Sequence, residues 1–261
     1  KMYEAWEARS RKTRVRLARE ALNISPDCAD AYVLLAEETA RTPAQALKLY
    51  EEGMQAGERA LGPEVFAEEA GHFWGILRTR PYMRARAGFA ACLWEMGEGE
   101  RAIEYFRELL RLNPNDNQGN RYLLARLLLQ EERDEELGVL LGEYEEEASA
   151  EWLYTRALWR YRREGEVRAS ARALQLAFAE NIFVPLFMLE VRPMPTDLPE
   201  YISPGEESEA IDYVLGNGTY WYDTPGALEW CGELFGEALE EVEKRARAEE
   251  NERKLRLLMG H

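Results

Sequence analysis

The segment Tyr82 to Pro114, YMRARAGFAACLWEMGEGERAIEYFRELLRLNP, carries a pattern that few architectures can satisfy. Apolar and small residues recur at three and four positions through two stretches, with Gly97 and Gly99 between them. The segment therefore reads as two amphipathic helices joined by a tight turn. In the second stretch Ala102, Phe106 and Pro114 stand at successive offsets of four and eight. Neither helix can bury its apolar stripe alone, so each needs its partner and the pair needs a neighbouring pair.

The same ruler fits elsewhere. Ala173, Ala177 and Pro185 repeat the offsets of four and eight, and Pro185 lies 71 residues after Pro114, close to two periods of about 34. Pro26 is followed six, nine and ten residues later by Tyr32, Leu35 and Ala36, the large, large, small order of a first helix. Its second helix, Ala44 to Met54, arrives early. The 88 residues from Pro26 to Pro114 exceed two periods by roughly twenty, and Leu61 to Thr79 holds the surplus. In period and residue order these units resemble tetratricopeptide repeats. The expected fold is all-α: a tetratricopeptide-like right-handed solenoid over 1–191, with an inserted helix at about 61–80. A proline-rich extended segment, 192–205, and a C-terminal helical cap, 206–261, packed on the solenoid as one domain, complete it.

Three segments depart from the repeat. In Leu61 to Arg80, Phe66, Ala70, Phe73, Trp74 and Leu77 form an apolar stripe behind Pro63, which suits a helix's first turn. Arg192 to Gly205 holds four prolines in fourteen residues and should run extended. From Thr224 the chain re-enters helix, and its charged continuation, Glu243 to Lys254, has the spacing of a solvated helix. The consecutive aromatics of TYWYD, 219–223, cannot all face one core, and Tyr201 is the expected neighbour of one of them.

ISPDCADAYVLLAEE at 24–38 and AQALKLYEEGMQAGE at 44–58 are similar to the helical region of the suppression-of-tumorigenicity-seven family. NIFVPLFMLEVRPMP at 181–195, ESEAIDYVL at 207–215 and GALEWC at 226–231 resemble a second block of that family in the same order. The resemblance implies a helical-repeat protein and brings no catalytic residues. It also implies apolar membrane spans near the ends of the animal members, which this sequence lacks.

Composition narrows the function. A net charge of −16 sets most of the surface against phosphate backbones, so no nucleic acid is expected as a partner. Cys28, Cys92 and Cys231 have neither the number nor the spacing of a disulfide framework or a zinc knuckle, which points to a reducing cytoplasm. No apolar run is long enough to span a bilayer, so no membrane association is expected of this sequence. His72, in EEAGH, lacks the second histidine one turn away that a zinc-protease helix needs, and there is no GxxxxGK phosphate loop. No metal, cofactor or catalytic residue is assigned.

The arginines carry the functional expectation. Arg78, Arg80, Arg84 and Arg86 fall within nine residues of an acidic chain. On the repeat ruler Arg84, Gln118, Arg121 and Arg162 map to the concave faces of successive first helices, where guanidinium groups could clamp an acidic or C-terminal peptide. The competing reading pairs each arginine with an acid of an adjoining helix. Trp74, Arg78, Arg80 and Tyr82, on and beside the insertion, form a second possible docking patch. Asp116 and Asn117 read as caps of the helix that follows them. The expected function is a non-catalytic protein-interaction scaffold or adaptor. A self-assembling helical-repeat protein, docking as a homo-oligomer through Trp74 or the final LRLLM, and an enzyme of unrecognised type are the alternatives.

Overall fold

A computed structural model of the chain describes residues 1–259, with side chains described through Lys244 apart from Val242. Among the described residues every regular element is helical and there is no strand. The chain divides into two compact units, Lys1–Glu131 and Glu132–His261. That division falls inside the stretch 1–191 that the repeat ruler treats as continuous.

The first unit contains α1 (Met2–Glu7), α2 (Arg11–Ile24), α3 (Ala29–Thr39), α4 (Pro43–Leu61), α5 (Pro63–Glu68), α6 (Arg80–Glu95), α7 (Gly99–Leu112) and α8 (Asn120–Gln130). Successive helices pack as hairpins: α3 on α4, α6 on α7, and α4 on α6 between them. The reason is local as well as tertiary. Thr42 caps α4 by accepting the Gln45 N–H at 3.3 Å, and Pro43 takes the first-turn position where no donor is missed. Gly97, with φ of 78°, turns the chain between α6 and α7. Phe106, Leu109 and Ala102 of α7 are fully buried, as the spacing of that unit requires. Where α4 meets α6 the helices approach through Gly88, whose missing Cβ makes room for the Tyr50 ring.

The insertion differs from its expectation. It is helical only over the six residues of α5, followed by two 3-10 turns, Phe73–Gly75 and Leu77–Thr79. Gly71, at φ of 95°, breaks the helix that the apolar spacing suggested. The aromatic residues still gather: Phe66 lies 5.2 Å from Phe73 and 4.9 Å from Tyr82, ring centre to ring centre. Buried Thr79 fastens the segment by donating its hydroxyl to the carbonyls of Phe73 and Ile76.

The second unit contains α9 (Asp134–Glu143), α10 (Ala150–Glu164), α11 (Arg168–Glu180), α12 (Phe183–Met188), α13 (Glu207–Asp223) and α14 (Ala227–Met259). Gly165, at φ of 71°, ends α10, and α10 packs on α11. Pro185, matched to a closing proline by spacing, sits inside the short α12 instead. Between α12 and α13 the proline-rich stretch has no regular element. Its far end is held by Glu209, a buried carboxylate that accepts from Gly205 N at 2.8 Å, Asn181 Nδ2 at 2.9 Å and Ala150 N at 3.1 Å. The TYWYD aromatics lie at the end of α13: Trp221 is buried and donates to Tyr213 Oη, while Tyr222 Oη donates to the Met188 carbonyl. Tyr201 is 80% exposed and takes no part in this cluster. The charged continuation, 243–254, lies within α14, but the side chains of 245–254 fall outside the described ones, as do those of the final LRLLM.

Candidate interaction surfaces

The structure gives each arginine of the expected groove a carboxylate from its own unit. Arg84, on α6, donates Nε to Asp30 Oδ1 at 2.9 Å and its terminal nitrogen to Oδ2 at 2.8 Å, a two-pronged bond to the first turn of α3. Arg121, on α8, reaches Asp116 at 3.2 Å and stacks over Tyr122 at 4.3 Å. Arg162, on α10, reaches Asp134 at 3.2 Å, at the start of α9. Arg84 and Arg121 belong to the first unit and Arg162 to the second. Gln118 is not on a first helix: α8 begins at Asn120, and Gln118 lies in the turn before it with a buried, unbonded side-chain oxygen.

That turn explains the geometry around Arg121. Asp116, at φ of 45°, accepts from the backbone N–H groups of Asn120 and Arg121, each at 2.8 Å. Asp116 therefore caps α8, as its position in the sequence suggests. Burial nevertheless pushes its carboxyl above the usual range, the bonds to Arg121 and Asn120 acting the other way. Gly119, in the left-handed region, immediately precedes the first residue of α8.

The patch on the insertion is partly spent internally. Arg80 stacks over Trp74 at 5.2 Å and donates Nε to the Trp74 carbonyl at 2.8 Å. Tyr82 is buried, its hydroxyl accepting from Arg86 at 2.8 Å. Arg78 is exposed. Of the four arginines in the 78–86 cluster, Arg86 is held most distinctively. Its guanidinium lies 4.6 Å from the Tyr105 ring, its Nε is buried without a hydrogen-bond partner, and among the described residues no carboxylate stands within ion-pair distance. Beside it opens a groove of about 500 Å³ lined by Pro63, Phe66 and Tyr82 together with the carboxylates of Glu58 and Glu108. Glu108 is already bonded by Arg111 through two contacts of 2.7 Å, which hold its carboxyl below the usual range, and the nearby charge of Arg86 acts in the same direction.

A denser cationic run escaped the sequence reading. Arg11, Lys12, Arg14, Arg16 and Arg19 put five cations in nine residues, more than the four in 78–86, and the run falls on α2. A simple charge count over short windows would have found it.

The thiols have little nucleophilic character. Cys92 and Cys231 are buried, and burial pushes them up to about 11 and about 12. Cys28 is half-buried and also raised, burial being the largest cause. Among the described residues no three His, Cys, Asp or Glu side chains form a group that could hold a metal ion. No helix among them is long and apolar enough to cross a membrane.

The family model described as ST7 protein matches residues 1–250. The chain is 29% identical over 255 residues to a human protein named suppressor of tumorigenicity 7 protein-like, covering 87% of this chain and 43% of that one. It is 28% identical over 285 residues to the Caenorhabditis elegans protein ST7 homolog, covering 93% and 52%. A Drosophila pseudoobscura ST7 homolog is 26% identical over 258 residues, covering 87% and 46%. The chain thus spans about half the length of these relatives.

Proposed function

The chain belongs to the ST7 protein family, and we propose that it is a non-catalytic, tetratricopeptide-like scaffold that receives a peptide carboxylate at Arg86. The observation that carries this reading is a guanidinium beside an open aromatic groove that, among the described residues, has no carboxylate within ion-pair distance. An incoming carboxylate at Arg84, Arg121 or Arg162 must displace an aspartate already bonded there. Arg86 requires no such exchange, and its stacking on Tyr105 fixes the fork in advance, which lowers the ordering cost of binding. Phe66 and Pro63 supply apolar wall for the residue that precedes the carboxylate, while Glu58 favours a cation close by. Packed consecutive helix pairs within each unit support a repeat architecture, one suited to holding peptides rather than to bond chemistry. The three unpaired thiols support a reducing, cytoplasmic setting.

The test compares peptides that end in a free carboxylate with the same peptides amidated. The full chain should bind the acid form at least about tenfold more tightly, and Arg86→Gln should erase that difference while Arg86→Lys keeps part of it. Equal binding of both forms by the unaltered chain, or discrimination that survives Arg86→Gln, overturns the assignment.

A further inference from the structure

The cationic run on α2 makes a second surface, distinct from the Arg86 groove. Lys12, Arg16 and Arg19 stand at spacings of four and three, so they form one exposed stripe along the helix. The opposite side of α2, with Leu17, Ala18 and Ala21, is buried in a core with Ala5, Ala31 and Leu34. The stripe borders a groove of about 780 Å³ whose walls include Arg11, Lys12, Val15, Arg16, Arg19 and Thr39. Internal pairing uses only part of this charge. Arg11 donates Nε to the Glu38 carbonyl at 2.8 Å and lies 3.6 Å from the Glu38 carboxylate, Arg14 binds that carboxylate, and Arg16 binds Glu20. Among the described residues, Lys12 and Arg19 have no carboxylate within ion-pair distance.

We infer that this groove docks an acidic peptide segment of another protein. Charge complementarity is the argument: α2 carries five cations against the single acid Glu20, in a chain whose net charge is −16. Everything outside α2 therefore sums to −20, from −16 less the helix's +4. A short peptide lying in the groove meets the local positive field, because acids beyond a Debye length of about 8 Å are screened from it. An anionic bilayer is a poorer fit. Membrane-binding amphipathic helices insert an apolar face, and the apolar face of α2 is already committed to the core.

The experiment titrates the full chain with a short fluorescein-labelled peptide of alternating glutamate and serine. Lys12→Glu/Arg19→Glu removes two cations that pair with no acid among the described residues, and circular dichroism checks that the helices persist. Arg168→Glu/Arg172→Glu makes the same charge change at exposed positions of α11 and serves as the control. Affinity should fall at least about tenfold for the α2 variant and less than about twofold for the control. Raising salt from roughly 0.05 to 0.3 M should weaken the unaltered chain's binding in the same sense. Acid-versus-amide discrimination at Arg86 should survive the α2 reversal, so the two surfaces fail separately. Equal losses in both variants, or absence of saturable binding, overturn the inference. Preferential binding of phosphatidylserine vesicles through Lys12 and Arg19 overturns it in favour of a lipid surface. Salt-sensitive self-association abolished by the α2 reversal overturns it in favour of a second copy.

Discussion

Arg84 and Arg86 stand two positions apart on α6, yet only one of them is bonded to a carboxylate. Arg84 meets Asp30, which precedes it by 54 residues, whereas Arg86 turns to the rings of Tyr82 and Tyr105. A sequence ruler sees two similar cations, because the partner that separates them arrives through folding. The cysteines show the same dependence on surroundings, and here the consequence is measurable. At neutral pH all three thiols should be less ionised than a free cysteine, whose usual value is about 8.5, since burial raises each one. Iodoacetamide should therefore modify Cys28 slowly in the folded protein and reach Cys92 and Cys231 only after denaturant is added. Peptide mass mapping reads this directly, and rapid native labelling of Cys92 would show that α6 opens. The buried carboxylate of Glu209 was likewise invisible in advance: its donors Asn181 and Ala150 lie 28 and 59 residues away.

Helices were the most legible level, for a physical reason. A packed helix writes its buried face into neighbouring positions, so Ala102, Phe106 and Leu109 announce α7 without help from the remainder of the chain. Phe106 has no exposed surface, and Phe106→Ala should cost about 3 to 5 kcal/mol through lost burial and the cavity left behind. Leu176→Ala, on α11 but 54% exposed, should cost less than about 0.5 kcal/mol. Denaturant titrations of the two variants check the contrast, and a small loss at Phe106 would mean that its pocket collapses around the change. Legibility fails where helix and turn share one apolar spacing. Phe66, Phe73 and Trp74 fit a helical stripe on paper, but Gly71 adopts a left-handed conformation and the chain finishes the insertion in 3-10 turns. Gln118 fails similarly, because Asp116 takes the capping role and delays the start of α8 to Asn120.

At the scale of the whole molecule, composition was readable and the division at Glu131/Glu132 was not, since the helical periodicity runs on across it. The charge distribution has two consequences of opposite sign. On α2 the excess is positive, so salt should weaken its hold on an acidic peptide. Over the full chain 49 acids face 33 lysines and arginines, and the resulting −16 opposes compaction through self-repulsion. Added salt screens that repulsion, but it also weakens surface ion pairs such as Arg59 with Asp27 at 2.7 Å. Exposed pairs contribute about 0 to 1 kcal/mol each, and the better-protected ones, such as Arg121 with Asp116, respond less to screening. The net repulsion should therefore dominate, and Tm should rise as sodium chloride increases from roughly 0.01 to 0.15 M. Differential scanning calorimetry at neutral pH measures the shift. A Tm that falls over this range would show that favourable pairs outweigh the excess of negative charge, and would place the stability of this acidic chain in its ion-pair geometry rather than in its apolar helix faces.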